Sequence, residues 1–352
     1  MTQFNPNAKK VVIIGGGFAG ALITKALDKD AAFNVTLIDC KDYFEFTPGI
    51  LRTIVQPEHI KKIQALHQHY LKRTKVINGE VSEVTEHDVV LGKQHIPFDY
   101  LAVSSGSTYN LPIKQQNVVL TTRGATLRNY YEKLCAAKII LIIGGGIVGV
   151  ELAAEIVAQY YDKHVILAHS HDTLMPRMPA KAQQHALAFL KKRGVEFIFN
   201  ERIVEGSGTT YATKSGKRIT ADLAFLCTGI TPNTQFLFKN FRDRLDEKNQ
   251  VYTNVYLQMK GYENIFAAGD VTAIPEEKTA QNAEEQAQIV AHNIIALEKK
   301  QPLKEYESKP RIMVISLGPW NGMLTYKNVV WTGLVPAFLK RFVEWKTMRR
   351  YG

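Results

Sequence analysis

Val11-Val12-Ile13-Ile14-Gly15-Gly16-Gly17-Phe18-Ala19-Gly20 is the stretch from which the fold can be read. Four apolar β-formers run into a glycine turn. Residues 21–27 then carry helical patterning, and residues 34–38 form a second apolar run. Strand, turn, helix, strand is a βαβ unit. The same order returns at Ile139-Ile140-Leu141-Ile142-Ile143-Gly144-Gly145-Gly146-Ile147-Val148-Gly149, followed by residues 150–156 and 164–168. Two copies 129 residues apart predict two nucleotide-binding α/β domains in tandem.

Each glycine of Gly15, Gly17 and Gly20 has its own task. The first permits the tight turn, the second lets a pyrophosphate approach the backbone, and the third lets helix and strand pack closely. The helix start then offers free N–H groups and a partial positive charge to phosphate. Asp39 follows 19 residues after Gly20, at the end of the second strand, where a carboxylate can accept from both hydroxyls of a ribose. Gly144, Gly146 and Gly149 repeat the turn, but His169-Ser170-His171 stands where the acid would be. A carboxylate there would repel a 2′-phosphate, whereas histidine and nearby Arg177 would not. The second site is therefore expected to take NADPH as well as NADH.

Two further strand ends run into small-residue turns, at Ser104-Ser105-Gly106 and at Thr228-Gly229. Such turns let the chain cross between domains beside a cofactor. Ile265-Phe266-Ala267-Ala268-Gly269-Asp270 ends a strand on a carboxylate suited to ribityl hydroxyls. A long helix is expected over 279–297, its start aimed at developing negative charge on a reduced flavin.

Composition bounds the rest. With 352 residues, 45% hydrophobic and 22% charged, the chain has room for two or three domains and is neither disordered nor fibrous. Cys40, Cys135 and Cys227 are odd in number and widely spaced. That excludes a disulfide scaffold and a CxxC redox centre, and Cys227 reads as core filler. No run reaches the roughly 18–20 apolar residues of a spanning helix. The start is expected to carry no signal or transit segment and, with Thr2 in second place, no N-myristoyl group. No metal site is expected.

Together, the two glycine turns, the two crossings and the Ala-Gly-Asp strand end resemble the two-dinucleotide-binding-domain flavoproteins, over about residues 10–300. The resemblance implies two Rossmann-like domains. The FAD domain would hold 1–110 and 241–308, with strand-like excursions at 76–84 and 87–91, and the NAD(P)H domain 111–240. Residues 309–352 would form a basic amphipathic region. Phe44-Glu45-Phe46-Thr47-Pro48-Gly49-Ile50-Leu51-Arg52 resembles the flavin-side loop of type II NADH dehydrogenases. Ala280-Gln281-Asn282-Ala283-Glu284-Glu285-Gln286 is similar to their quinone motif, with Glu285 in place of a glutamine. Trp345-Lys346-Thr347-Met348-Arg349 and Ala168-His169-Ser170 resemble segments of the ferroptosis suppressor group of NAD(P)H:quinone oxidoreductases, related to apoptosis-inducing factor.

What the resemblance implies for sites follows. FAD would be held by Gly15, Gly17, Phe18, Ala19, Gly20, Asp39, Lys41, Thr47, Pro48, Arg52, Val81, Ser105, Gly106, Gly269, Asp270, Lys278, Thr279 and Ala280. NAD(P)H would be held by Gly144, Gly146, Ile147, Val148, Gly149, His169, Ser170 and Gly229. Gln281, Glu285 and Gln286 would border a quinone. Glu151 and Glu155, one helical turn apart, would serve the nicotinamide–flavin contact, Glu151 first. Lys346 would supply a cation near flavin or quinone. The implied reaction is hydride transfer from NAD(P)H to FAD and two-electron reduction of a membrane quinone.

Residues 304–352 hold nine Lys/Arg and three Glu, net +6 of the chain's +11. Leu334, Phe338, Phe342 and Trp345 recur at helical spacing beside Lys340, Arg341, Lys346, Arg349 and Arg350. This pattern reads as an interfacial helix on an anionic lipid surface, peripheral on the cytoplasmic side. Docking on the body or in a homodimer is the other reading. Two competing functions stay open. One is a reductase of a small acidic redox protein of the ferredoxin or rubredoxin type. The other is a DNA-binding flavoprotein like apoptosis-inducing factor, although no aromatic-interleaved basic groove is evident and nucleic acid is not an expected partner.

Overall fold

A computed structural model describes residues 6–108 and 120–352. Thr2 and the boundary expected at 110/111 lie outside the described residues. Lys9–Ile14 is the middle strand of a five-stranded sheet. Phe33–Asp39 and then Lys75–Asn78 lie on one side, Tyr100–Val103 and then Ile265–Ala267 on the other, and every pairing is parallel. A parallel strand is covered on both faces, so its sequence is apolar throughout; Val11, Val12, Ile13 and Ile14 are all buried. A second parallel sheet centres on Ile139–Ile143, between His164–Ala168, which leads on to Glu196–Ile198, and Leu223–Leu226. The chain therefore leaves the first sheet, builds the second, and returns to complete the first with Ile265–Ala267.

Each glycine turn feeds a helix, Phe18–Leu27 in the first unit and Ile147–Gln159 in the second. The returning helix Ala280–Glu298 packs on Phe18–Leu27. The two crossings pair with each other: Ser107–Thr108 runs antiparallel to Thr231–Pro232. A short helix, Ile50–Val55, packs against Ile147–Gln159. Its Ile50 and Ile54 share one apolar core with Val150, Leu152 and Ile156 of the second unit and with Ile315 and Met323 of the terminal region.

Some expectations are redrawn. Residues 76–84 do not make one strand. Lys75–Asn78 joins the parallel sheet, the chain turns at Gly79, and Glu83–Val84, Asp88–Leu91 and Gln94–Pro97 form an antiparallel meander. The terminal region is more than a helix. Met313–Ser316, Gly322–Tyr326 and Val329–Gly333 form an antiparallel sheet on which the helix Leu334–Met348 packs. Gly333 turns strand into helix at φ 110°, a conformation glycine reaches without strain. Among the described residues no helix is long and apolar enough to cross a membrane, and no acid, histidine and cysteine cluster could hold a metal.

Candidate active site

The glycine turns are built as the sequence requires. Gly15 and Gly144 sit at φ 94° and 114°. A Cβ on Gly20 would lie 1.7 Å from the Gly15 carbonyl oxygen, and one on Gly149 1.9 Å from that of Gly144. A Cβ on Gly17 or Gly146 would meet nothing within 4 Å. The outer glycines are thus fixed by packing, while the middle ones face open space. Both helix starts, capped at Gly17 and Gly146, lack a side-chain cap, so their first N–H groups are available to a pyrophosphate. This cradle fits two dinucleotides.

Phe18 packs edge-on against Phe44 and Phe46, and Ala19 is buried. The Asp39 carboxylate accepts from Gly16 N at 3.0 Å and Lys41 N at 3.2 Å. His67, absent from the sequence reading, is fully buried with Nε2 3.1 Å from Asp39 Oδ2 and Nδ1 2.6 Å from the Tyr70 hydroxyl. No motif flags it, because it lies 28 residues from Asp39 on a short turn of its own. Val81 is core. Ser105 Oγ donates to the Asn233 carbonyl, and Gly106 and Gly229 share left-handed backbone at φ 67° and 57°. Asp270 accepts from Ser107 Oγ, and Thr279 caps the helix that begins at Ala280. The Lys278 ammonium turns onto the carbonyls of Thr272 and Ile274, and burial lowers its pKa.

At the second site, Ile147 and Val148 form the first turn beyond Gly146. His169 is mostly buried, its ring 4.9 Å from that of His171, and burial lowers its pKa. Ser170 is exposed. Arg177 is exposed and pairs with Glu277 at 3.2 Å.

The two units meet at a cavity of about 20 Å³, room for about one water. It is lined by Pro48, Gly49, Leu51 and Arg52 from the first unit, Glu151 and Glu155 from the second, and Ser316, Lys340, Arg341 and Glu344 from the terminal region. Glu151 and Glu155 are both buried, and Ser316 links them. Its N–H donates to Glu151 Oε1 at 2.7 Å and its hydroxyl to Glu155 Oε1 at 3.2 Å. Lys340 Nζ lies 2.8 Å from Glu151 Oε1, and an Arg52 guanidinium nitrogen 3.1 Å from Glu155 Oε1. Buried carboxylates are tolerable because each has a cation and a second donor. Thr47 stands at the head of the Pro48 turn, its hydroxyl on the Glu45 carbonyl.

The structure places Lys346 on the exposed face of the terminal helix; the lysine that reaches Glu151 is Lys340. The two are six positions apart, nearly two turns; the sequence pointed to Lys346, and tertiary packing brings Lys340 to the carboxylate. The glutamine segment is also engaged elsewhere. Gln286 is buried, accepts from Gly269 N at 2.6 Å and donates to Glu276 at 2.6 Å. Gln281 donates to the Ile312 carbonyl, and Glu285 pairs with Arg311. None of the three lines the cavity.

The cysteines are far apart in role. Cys135 is exposed, Cys40 half-buried, and Cys227 buried, with its thiol pushed up to about 12 by burial. They supply no dithiol centre.

Comparison with known proteins agrees with this geometry. The chain is 33% identical to the apoptosis-inducing factor homolog B of Dictyostelium discoideum, covering 97% of this chain and 94% of that one. It is 29% identical to the human ferroptosis suppressor protein 1, covering 97% and 96%. The sulfide:quinone oxidoreductase structure from Aquifex aeolicus superposes with a TM-score of 0.81 at 19% identity, over 96% and 90%, a likeness of fold. Residues 9–287 match the model of the pyridine nucleotide-disulphide oxidoreductases. The chain belongs to that family, as a flavoprotein oxidoreductase with FAD and NAD(P)H as cofactors, in a form without the cysteine pair.

Proposed function

We propose that this protein oxidises NAD(P)H and reduces a membrane quinone to quinol. The observation that carries the reading is the cavity where both units and the terminal region meet, with Glu151, Glu155, Lys340 and Arg52 around it. Bound FAD supplies the two-electron chemistry between nicotinamide and acceptor. The protein supplies position and field. Gly146 and its helix start bind the nicotinamide dinucleotide, and Gly17, Asp39 and Asp270 bind FAD. Lys340 offers a cation where an acceptor oxygen would gain charge. Glu151 and Glu155 keep Lys340 and Arg52 pointed at the cavity.

The acceptor reading draws on the surface next to it. Leu334, Val335, Phe338, Phe342 and Trp345 of the terminal helix are each more than half exposed, and Trp331 on the adjoining strand is 63% exposed. Arg341 lies over Trp320 and Phe338, and Arg349 over Trp345. An apolar face this large with a cationic flank suits an anionic lipid surface. It would place a lipid-borne quinone within reach of Lys340 and Arg341, which sit on the same helix. A small acidic protein acceptor gives no reason for exposed tryptophans.

The experiment is turnover of the purified holoprotein with NADH or NADPH against short-chain ubiquinone, a naphthoquinone and an acidic ferredoxin. Quinol formation supports the reading. Flavin bleaching without quinone turnover refutes the acceptor. For the surface, Trp331, Phe338, Phe342 and Trp345 are changed together to Ser, and flotation with anionic liposomes is compared; undiminished binding refutes the lipid face. Truncating the helix is a poor test, because Tyr351 beyond it is buried against Phe44.

A further inference from the structure

The overall reaction of the proposed function, NAD(P)H plus quinone plus H⁺ giving NAD(P)⁺ plus quinol, takes two electrons and one proton from the nicotinamide and one proton from water. We propose that His59 and Glu344 conduct that second proton, with Glu344 delivering it into the cavity. The inference deepens the quinone reading and rests on it.

Three carboxylates line the cavity: Glu151, Glu155 and Glu344. The first two are held in ion pairs, Glu151 with Lys340 and Glu155 with Arg52. Glu344 is different. Its partner among the described residues is the His59 ring, Nε2 to Oε2 at 3.1 Å and 285 positions away in sequence. Histidine gains and loses a proton near neutral pH without leaving its hydrogen bond. A His–carboxylate pair is therefore a device for moving a proton, and the Lys and Arg pairs are devices for holding charge.

Glu344 ties the cavity wall to the turn that carries His59. Glu344 forms part of the cavity wall, and its carboxylate lies against Gly49, where a Cβ would come within 2.8 Å of Oε2. Any side chain at residue 49 would push the carboxylate away. His59 sits behind it in the turn Pro57–His59. It is 9% exposed and flanked by Gln56 and Glu58, both exposed. Glu344 thus faces the cavity, and His59 links it to a turn whose neighbouring residues are exposed, with 9% of the His59 side chain and 15% of the Glu344 side chain exposed. The charged groups that line the cavity with Glu344 are Arg52, from Ile50–Val55, Glu151 and Glu155, from Ile147–Gln159, and Lys340 and Arg341, from its own helix. On the solvent side Glu58 is taken up by Lys61 and Arg128.

The test uses His59→Ala and Glu344→Gln in the FAD-loaded protein, with the two half-reactions followed separately by stopped flow. The expected result is flavin reduction by NAD(P)H within about twofold of the unaltered protein. Quinone-dependent reoxidation should be slowed at least about tenfold, with a larger solvent deuterium effect. Added imidazole should restore the reoxidation rate of His59→Ala and leave that of Glu344→Gln slow. A second readout needs no turnover: the ¹⁵N-labelled His59 imidazole N–H signal, slowed in exchange by its carboxylate partner, should disappear in Glu344→Gln. A merely structural pair would lower stability and slow both half-reactions alike, with no imidazole rescue, and that result overturns the proposal. Unaltered reoxidation in both variants overturns it too. If the unaltered protein reduces no quinone, the acceptor reading itself fails, whatever the imidazole signal shows.

Discussion

Lys340 Nζ lies 2.8 Å from Glu151 Oε1, across 189 residues of chain, with 17% and 8% of the two side chains exposed. The terminal helix thereby donates a cation to a helix of the second nucleotide unit, at the wall of a cavity shared with the first.

Removing one partner leaves the other charge buried. Lys340→Met is expected to cost about 3 kcal/mol in denaturant unfolding, whereas Lys340→Met with Glu151→Gln regains most of that loss. Turnover is expected to fall about tenfold to a hundredfold in either case, since the double variant restores packing and not the cation. Stability and kinetics measured on all three variants separate the two effects.

The glycine turn makes a contrast between neighbours. Gly20→Ala places a Cβ into the Gly15 carbonyl and is expected to prevent normal folding, read as loss of a cooperative melt. Gly17→Ala has open space and an ordinary φ of −75°. It should fold, yet bind FAD about tenfold more weakly, about 1.4 kcal/mol, because the methyl occupies the approach of the pyrophosphate.

His169 gives the second site a pH signature. Burial, and then the neighbouring His171, hold its pKa below the ordinary 6.5, so at neutral pH the ring is uncharged. A depressed value means that the stability gained from the neutral ring is fully present above about 6.5 and is lost as pH falls through the lower folded value. The ring gains charge over that same acidic window. Affinity for NADPH relative to NADH is therefore expected to be flat at neutral pH and to rise only on acidification. Nucleotide titrations by fluorescence across that range check it, and His169→Ala should remove the rise.

The thiols should sort by burial. At about pH 8 iodoacetamide is expected to label exposed Cys135 and to spare Cys227, whose thiol is held protonated by its apolar surroundings. Peptide mapping before and after unfolding shows which residues react.

How much could be read from the chain follows from the range of each signal. Gly15, Gly17 and Gly20 with their strand and helix are local, so their turn, their sheet and the return at Ile265–Ala267 were legible. Glu151 and Glu155 were legible as a pair because one helical turn joins them. Ser316, Lys340 and Glu344 were not: Ser316 ends a short strand of weak alternation, and Lys340 and Glu344 reach the cavity only because the terminal helix packs on that sheet. The same holds for His67 and His59, single histidines brought to Asp39 and Glu344 by tertiary packing alone. The glutamine segment shows the opposite case. Its pattern resembles a binding motif, and in the fold Gln286 spends both ends of its amide on Gly269 and Glu276.

The most direct test of the account is an anaerobic visible spectrum of the purified protein, taken in sequence. The isolated chain should be yellow, lose its colour on addition of one equivalent of NADPH, and regain it on addition of one equivalent of short-chain ubiquinone. A colourless protein that takes up no FAD would contradict the account.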